Sequence, residues 1–330
     1  MNLNEYSNKF LSVINEEIRK NIPKDSFSNL YDAMFYVFET GGKRLRSILC
    51  LAVCESLGGD TEDALPFAVA IEIAHNALLV HDDMEDGDII RRGKPSIWIK
   101  YGIPHGMNIG DGMYFKAYES FINAKKLPAQ KVVKLSEIFT ETLMRIIEGQ
   151  NMEFNFRARD DVTAEEYEEM VWRKSGTLIT ASLIGAATIA EAPDKVIKVL
   201  KEYGRKIGIA FQIKDDILNL IGDQEKYGKE IGGDIKEGKK TLVMIHCLSH
   251  CDKNERKKLL EILKKSRKAV TKDDVKLAMV LVKKYGSIEF AGGHSTELIQ
   301  KAKQLLTKID NVKLKNILEE FADFMVKREF

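Results

Sequence analysis

Residues 70–86 read AIEIAHNALLVHDDMED, and this stretch decides the fold class. From Ile71 to Leu79 the segment is apolar nearly all round a helix, which is typical of a buried helix at the centre of a large bundle. It then ends in carboxylates, of which Asp82 and Asp86 are four residues apart and share one helix face. This pattern predicts an α-helical protein with an acidic site at the mouth of its apolar core.

The rest of the chain has the same helical spacing. Apolar residues recur every three or four positions over most of the 330 residues, and only 6 prolines interrupt them. Glycine-rich or proline-containing breaks separate the helices, and Thr163 with Glu166 fits a capping box that opens a new helix. We therefore expect an all-α protein in which residues 1–330 form a single-domain bundle of roughly ten or more helices around a deep apolar cavity.

Composition argues against several classes of protein. The 51 Lys and Arg residues balance 50 Asp and Glu, whereas a nucleic-acid binder needs a basic surplus, so we expect no nucleic-acid partner. Four cysteines are too few for a disulfide scaffold of this size. The N-terminal residues do not resemble a secretory signal, and the apolar stretch 177–190 is too short to span a bilayer. We expect a cytoplasmic protein without stable membrane insertion.

A second acidic cluster resembles the first. Asp215 and Asp216 follow the apolar stretch IGIAFQI, and Asn219 and Asp223 lie on the same helix face as Asp215. Acidic groups at the end of an apolar helix are costly unless a cation compensates them. Carboxylate oxygens favour Mg²⁺ or Mn²⁺ over zinc, and Mg²⁺ typically combines a few carboxylates with substrate phosphate. Two such clusters together predict a magnesium-dependent site.

Basic segments lie near each acidic cluster along the chain. Lys43 and Arg46 follow the Gly41-Gly42 turn, and Arg91 and Arg92 lie just beyond Asp86. Lys229, Lys236, Lys239 and Lys240 follow the second cluster at a similar distance. Such pairing is what a diphosphate needs, because Mg²⁺ bridges some of its oxygens to carboxylates while Arg and Lys neutralise the others.

With these motifs the chain resembles the trans-isoprenyl diphosphate synthase (polyprenyl synthetase) family, most closely its geranylgeranyl diphosphate synthases. The matching blocks are GGKRLR (41–46), HNALLVHDDMEDGDIIRRGKPS (75–96), GQ (149–150), KSG (174–176), FQIKDDILNLIGD (211–223) and YGK…GGDIKEGKKT (227–241). The resemblance implies an all-helical homodimer that joins isopentenyl diphosphate to an allylic diphosphate, namely dimethylallyl, geranyl or farnesyl diphosphate.

The resemblance also implies a role for each matching residue. Up to three Mg²⁺ ions, replaceable by Mn²⁺, are expected on the acidic motifs of Asp82, Asp83, Asp86, Asp215 and Asp216. The allylic diphosphate is expected on Arg91, Lys174, Ser175, Gln212, Lys229 and Lys239. The isopentenyl diphosphate is expected on Lys43, Arg46, His75 and Arg92. Catalysis is expected to depend on Asp82, Asp86, Arg91, Lys174, Asp215 and Lys229.

The product length is expected to depend on residues that precede the first acidic motif on its helix. Ala77 and Leu78 lie about one turn back, with Ala74 deeper, and the small Ala77 leaves room for a growing chain. The sequence therefore predicts a C20 product, with a C25 or longer product, or a C15 product, as the alternatives within the family.

The second motif departs from the family pattern, because Asn219 stands where a third aspartate is usual. We expect this position to act through a bridging water, with Asp223 keeping a carboxylate on the same face. A class I terpene cyclase and a regulatory subunit of an active synthase are more distant alternatives. Cys247 and Cys251 are expected to be buried cysteines on a core helix rather than to form a soft-metal site with His246 and His250. The basic stretch 253–284 is expected to be a solvated helical surface, with a membrane-surface contact as the alternative.

Overall fold

A computed structural model of the chain describes residues 2–23, 29–222 and 230–326. Most of these residues are helical, so the all-α prediction is confirmed. In chain order the helices are α1 (Leu3–Asn21), α2 (Leu30–Glu39), α3 (Leu45–Ser56), α4 (Thr61–Asp86), α5 (Ile97–Tyr101), α6 (Ile103–Ile122), α7 (Ala129–Arg157), α8 (Ala164–Val171), α9 (Thr177–Ile189), α10 (Asp194–Ile221), α11 (Gly233–Lys236), α12 (Leu242–His250), α13 (Lys253–Leu263), α14 (Lys272–Lys284), α15 (Ser287–Leu305) and α16 (Val312–Val326).

The chain divides into two compact units, each assembled from separated segments. The first unit comprises Met1–Thr142, Leu178–Glu202 and Leu305–Phe321, and the second comprises Leu143–Thr177, Tyr203–Gln304 and Ala322–Phe330. That the 330 residues form one domain therefore stays a prediction, as does the deep apolar cavity.

Helix α4 is the central element of the first unit. Asp60 caps its N-terminus by accepting a hydrogen bond from Glu62 N, and residues from Phe67 to Ala74 are buried without interruption. It packs against α6 and α3. By length and composition alone α4 could cross a membrane, but 67% of its most apolar window is buried inside the protein, as in the core helix of a soluble protein.

Aromatic rings pack against α4 near its N-terminal end. The Phe67 ring meets the rings of Phe121 on α6 and Phe139 on α7 edge to face, at centroid distances of 5.5 and 6.2 Å. Gly185 on α9 lies so close to Phe67 that a Cβ atom there would collide with the ring. These contacts fix α4 within its unit, and hence the position of its acidic C-terminal end.

The region between Gly87 and Pro95, one of the glycine- and proline-containing breaks between helices, contains a small β-hairpin. Strands β1 (Ile90–Arg91) and β2 (Lys94–Pro95) pair antiparallel around Arg92 and Gly93. Both turn residues have positive φ, 52° and 75°, as a two-residue type I′ turn requires. Two-residue strands are too short to produce the alternating pattern by which a strand is recognised in a sequence.

In the second unit, α8 begins with the predicted capping box. Thr163 Oγ1 accepts a hydrogen bond from Glu166 N, and the Glu166 carboxylate accepts one from Thr163 N. A π-helical turn, Trp172–Gly176, connects α8 to α9. Gly176 and Gly208 of α10 approach so closely that a Cβ on Gly208 would collide with the Gly176 backbone. This close approach places the KSG segment directly beside α10.

Helices α13 and α14 form an antiparallel hairpin in the second unit. Its ends are tied by ion pairs, Lys284 to Glu255 at 2.6 Å and Lys265 to Asp274 at 2.7 Å. The exposed lysines of this hairpin, called here the lysine face, are Lys253, Lys257, Lys258, Lys264, Lys265, Lys268, Lys272, Lys276, Lys283 and Lys284. The expected solvated surface at 253–284 is thus present.

Candidate active site

The first acidic cluster forms the last turn of α4. The helix continues through Asp82, Asp83 and Asp86 and ends at Gly87, whose φ of 71° provides the left-handed cap. Asp82 and Asp86 share one face, as the sequence predicts. The C-terminal end of a helix carries a partial negative charge, so carboxylates there are destabilised unless a cation lies beside them.

Arg91 binds the middle aspartate of this cluster. Its Nε donates to Asp83 Oδ1 at 2.7 Å, its Nη2 donates to the same carboxylate, and Nη2 lies 3.5 Å from Asp82 Oδ2. Burial by itself lowers the pKa of Arg91, but the neighbouring Asp83, Asp82 and Asp88 raise it above its usual value. Because Arg91 already engages Asp83, the pair Asp82 and Asp86 is the better candidate for holding a cation, and Asp83 as a metal ligand stays a prediction.

The predicted isopentenyl diphosphate residues gather around the Gly41-Gly42 turn. Arg92 Nη1 donates to Gly41 O, and Arg46 Nη1 donates to His75 Nε2 at 3.3 Å. Lys43 lies exposed in the same turn. Of these four predicted residues, Lys43 lies just before α3 and Arg46 in its first turn, His75 lies on α4, and Arg92 lies in the turn of the β-hairpin.

His75 is held neutral in this group. Burial of the ring, with the nearby charges of Arg46 and Arg92, lowers the pKa of His75 well below its usual range. Arginine has only donors, so His75 Nε2 must accept from Arg46. The guanidinium groups repel a further positive charge, so the imidazole stays neutral. A bound anion would compensate the charge of the guanidinium groups.

The predicted chain-length residues lie on α4 before the carboxylates. Ala74 and Ala77 are completely buried and Leu78 is partly exposed. Ala77 precedes Asp82 by five residues, which is about 7.5 Å along the helix. The positions therefore lie below the acidic cluster within the same element.

A chain of hydrogen bonds runs through the second acidic cluster. Ser175 Oγ donates to Gln212 Oε1 at 2.8 Å, and Gln212 Nε2 donates to Asp216 Oδ1 at 2.9 Å. Tyr167 from α8 donates its hydroxyl to Asp216 Oδ2 at 2.6 Å. Both oxygens of the buried Asp216 are therefore engaged, whereas Asp215 beside it is partly exposed.

The electrostatics of Asp216 reflect its crowded acidic surroundings. Burial and the nearby Asp234 raise the pKa of Asp216 well above its usual range, and Asp215 adds to this effect. The hydrogen bonds from Gln212 and Tyr167 act in the opposite direction. Asp215 is thus the better candidate ligand of this cluster, and Asp216 as a ligand stays a prediction.

The predicted lysines of the second unit pair with acids. Lys174 Nζ lies 3.0 Å from Glu153 Oε2, and Lys239 Nζ lies 2.6 Å from Glu237 Oε2 and 3.6 Å from Asp234 Oδ1. Lys229, and Asp223 of the second acidic motif, lie outside the described residues. Lys174 and Lys239 are each anchored by carboxylates that a bound diphosphate would have to compete with.

Asn219 has a protein partner. Its buried Oδ1 accepts a hydrogen bond from Asp234 N at 3.1 Å, and its backbone O accepts one from Gly232 N at 2.7 Å. These bonds join the end of α10 to the start of α11. The water-bridged metal role expected for Asn219 stays a prediction beside this observed one.

Sequence reasoning missed four residues of these clusters, namely Tyr167, Asp234, Arg44 and Glu72. Asp234 lies inside the block GGDIKEGKK, where only the lysines were counted, although it is an acid next to a glycine turn. Tyr167 and Glu72 carry no local signal, because their partners are distant in sequence or lie on another element.

The carboxylates present fit a magnesium ion better than a softer metal. No group of three or more His, Cys, Asp or Glu side chains is arranged to hold a metal ion within residues 2–23, 29–222 and 230–326. Mg²⁺ does not need such a cage, because it is usually bound through one or two carboxylates, water and substrate phosphate. The oxygen-only pair Asp82 and Asp86 suits that mode. Cys247 is buried on α12, whereas Cys251 follows the end of that helix and is partly exposed, so the expectation of buried core cysteines is met by Cys247 and not by Cys251.

Comparison with known proteins gives consistent matches over nearly the whole chain. The model of the polyprenyl synthetase family matches residues 27–282. The geranylgeranyl diphosphate synthase of Saccharolobus solfataricus is 37% identical over 99% of this chain and 98% of its own length. A short chain isoprenyl diphosphate synthase of Methanocaldococcus jannaschii is 38% identical over 98% and 96%. The crystal structure of a geranylgeranyl pyrophosphate synthetase from Pyrococcus horikoshii superimposes with a TM-score of 0.90 at 38% identity, covering 99% and 98% of the two chains.

Proposed function

Because the chain belongs to the polyprenyl synthetase family and is a trans-prenyltransferase, we propose that it joins isopentenyl diphosphate to allylic diphosphates and makes mainly geranylgeranyl diphosphate. The observation that carries the proposal is helix α4. A single rigid element presents Asp82 and Asp86 at its end, His75 two turns earlier, and the buried Ala77 between them.

We propose a set of residues for each ligand of this reaction. Mg²⁺, or Mn²⁺ in its place, would be held by Asp82, Asp86 and Asp215, and up to three ions would neutralise the leaving diphosphate. The allylic diphosphate would bind Arg91, Lys174, Ser175, Gln212, Lys229 and Lys239. The isopentenyl diphosphate would bind Lys43, Arg46, His75 and Arg92.

The reaction needs no nucleophilic side chain. The C1–O bond of the allylic diphosphate breaks, and both electrons leave with the diphosphate, whose charge Arg91 and Lys174 stabilise. The double bond of isopentenyl diphosphate then attacks the allylic C1 with its terminal carbon. A proton is lost from the carbon next to C1 of the isopentenyl unit, so that a new double bond forms, and the released diphosphate accepts that proton. Apolar side chains of α4 keep water away from the cation.

The product length follows from the space below the acidic cluster. The side chain of Ala77 is a single methyl group, so it leaves room for a chain longer than C15. We propose C20, and the same small residue favours C25 or longer as the second candidate.

We further propose that the protein acts as a cytoplasmic homodimer without nucleic-acid partners. Apolar residues on one face of α6 support the dimer: Ile103, Met107, Phe115 and Ile122 are exposed, Phe115 to 75%. Such a row of large apolar side chains is unusual on the surface of a monomer. Sedimentation at micromolar concentration tests the dimer, and Phe115→Asp is expected to shift the protein towards monomer.

Incubation with labelled isopentenyl diphosphate, one allylic diphosphate and MgCl₂, followed by chromatography, tests the activity. We expect C20 diphosphate, and no product when the metal is chelated. Asp86→Asn is expected to lower kcat by about a hundredfold or more, because one carboxylate of the cation pair is lost. Glu85→Gln is the matched control, since Glu85 is exposed in the same motif, and should remain active.

Three results would contradict the proposal. Absence of elongation with every allylic diphosphate would exclude the synthase. Release of a cyclic hydrocarbon would indicate a terpene cyclase. Activity that requires a second protein would indicate a regulatory subunit.

A further inference from the structure

We propose that Arg44 and Glu72, a buried ion pair in the first unit, are positioning residues that set the shape of the isopentenyl diphosphate site. This inference rests on the proposed function, because it takes Lys43, Arg46, His75 and Arg92 as the residues that bind that substrate. Neither member of the pair is itself expected to touch it.

Arg44 follows Lys43, which is expected to bind the substrate, but its own side chain points into the protein. It is 5% exposed, and its guanidinium donates to Gly41 O at 3.0 Å, Phe38 O at 3.1 Å and Asn15 Oδ1 at 3.1 Å. Two of these acceptors are backbone oxygens at and before the glycine turn, and Arg44 itself follows the turn, so its side chain ties the two sides together. Arg44 therefore fixes the loop from which Lys43 projects rather than offering its own donors to a ligand.

Glu72 supplies the negative charge that Arg44 needs when buried. Its Oε1 lies 3.3 Å from Arg44 Nη1, and the side chain is almost completely inaccessible. The same carboxylate accepts hydrogen bonds from Asn76 Nδ2 at 3.1 Å and Ser47 Oγ at 3.4 Å. A buried charge of this kind is stable only when paired and hydrogen-bonded, and Glu72 meets both conditions.

Glu72 also determines which way Asn76 faces. An ionised carboxylate can only accept, so Asn76 must present its NH₂ group to Glu72, and its carbonyl oxygen then faces the other way. That oxygen lies 3.5 Å from Arg92 Nη1. Glu72 thus orients Asn76, and Asn76 in turn contacts Arg92, which is expected to bind the substrate.

The two arms of this network meet at Gly41. Its carbonyl oxygen accepts from both Arg44 Nη1 and Arg92 Nη1. Next to it, a Cβ atom on Gly42 would lie 2.7 Å from Arg44 Nη1 and 3.1 Å from Arg92 Nη1. The Gly41-Gly42 turn therefore packs against both Arg44 and Arg92. A change in the position of Arg44 is expected to displace Arg92.

Two residues of this network, Arg44 and Arg92, have a strained backbone. Arg44 and Arg92 are both non-glycine residues with left-handed φ, 51° and 52°. Such residues persist only where the surrounding contacts hold them, and they are frequent at binding sites. A pair that served stability alone would not need to hold two strained arginines on one carbonyl oxygen.

The kinetic test separates positioning from general stability. In Glu72→Gln and in Arg44→Lys we expect KM for isopentenyl diphosphate to rise about tenfold, because small displacements of binding groups are costly. KM for the allylic diphosphate should change by less than about twofold. Of its expected ligands only Arg91 lies beside this network, and Arg91 is held separately by Asp83. Titration calorimetry with isopentenyl diphosphate alone, which cannot react without an allylic partner, should show the same loss of affinity.

Asn311→Ala is the matched structural control. Asn311 caps α16 by accepting from Leu314 N at 3.0 Å and ties it to α3 by donating to Ser56 O at 2.8 Å. This variant should melt at a lower temperature with both KM values unchanged. Glu72→Asp, which keeps the charge on a shorter side chain, replaces Glu72→Gln if the latter does not fold, and its KM for isopentenyl diphosphate should rise less.

The outcomes are distinguishable. If folded Glu72 and Arg44 variants keep the wild-type KM for isopentenyl diphosphate, or raise both KM values equally, the positioning role is wrong. If the wild-type protein elongates no allylic diphosphate, the proposed function itself fails.

Discussion

At the scale of single residues, Asn219 is where this chain departs most clearly from its family pattern. An amide oxygen replaces a carboxylate, yet it still accepts the hydrogen bond from Asp234 N that joins α10 to α11. An aspartate could accept the same bond. The amide therefore preserves the connection while removing one negative charge from beside Asp216 and Asp234.

We expect Asn219→Asp to lower the Mg²⁺ concentration for half-maximal activity about two- to threefold, because an added carboxylate strengthens cation binding. A magnesium titration of the rate measures it. Asn219→Ala is the control: losing the acceptor leaves the partly buried Asp234 N–H without this bond and should cost about 1 kcal/mol of stability. An identical magnesium dependence in wild type and Asn219→Asp would show that the position does not influence the metal.

His75 predicts a measurable pH dependence of stability. Its pKa is lowered in the folded protein, so below pH about 6.5 the unfolded chain takes up a proton that the folded chain does not. The unfolded state then binds more protons, and the free energy of unfolding falls as pH decreases. We expect wild type to lose more stability than His75→Gln between pH 7.5 and pH 5, measured by urea denaturation. Parallel losses in the two proteins would contradict the lowered pKa.

Residue types were easier to predict than their partners. Asp82 and Asp86 are identified by spacing alone, because the helical repeat puts them on one face. The hydrogen bond from Tyr167 to Asp216 joins residues 49 positions apart, and no local sequence pattern predicts such a contact. The same holds for Glu72, which looks like an isolated polar residue in an apolar helix until Arg44 is placed beside it.

At the scale of elements, α4 organises the first unit. The sequence predicts an apolar helix around Ile71–Leu79 with an acidic end, and the structure extends it over 26 residues, Thr61–Asp86. The extension includes Pro66, the sixth residue of the helix, which lacks the N–H that would donate to Glu62 O and so removes one intrahelical hydrogen bond. The β-hairpin after it was not predicted, because its strands are set by the turn at Arg92 and Gly93 rather than by alternation.

We expect Ala77→Phe to shorten the main product from C20 towards C15, because a ring at this buried position would fill the space expected for the growing chain below the acidic cluster. Chromatography of the products measures it. Leu79→Phe is the matched control, since two residues further on the side chain points to the opposite side of the helix. Unchanged product length in a folded Ala77→Phe variant would show that the chain grows along another path.

At the scale of the whole molecule, ligand binding should be visible as stability. The proposed ligands bind only the folded chain, so they should raise the melting temperature. We expect Mg²⁺ with inorganic diphosphate to raise it by several degrees, and by more than the sum of the two added separately, because the cation bridges the anion to carboxylates. Differential scanning fluorimetry measures it, and simple additivity would argue against a shared site.

The fold class was predictable because helical spacing recurs along most of the chain. The division into two units was not, since each is built from segments that are distant in sequence, such as Leu305–Phe321 in the first unit. Periodicity reports which face of a helix is buried but not which helices it meets.

The lysine face on α13 and α14 has a practical consequence for handling the protein. A net charge of +1 suggests that the protein should pass through a cation-exchange column near neutral pH. Adsorption, however, depends on the local density of charge. Ten exposed lysines lie on a single helical hairpin and its connection, and Lys264, Lys265 and Lys284 among them pair with carboxylates. The protein should therefore be retained through this hairpin and elute later than its isoelectric point implies.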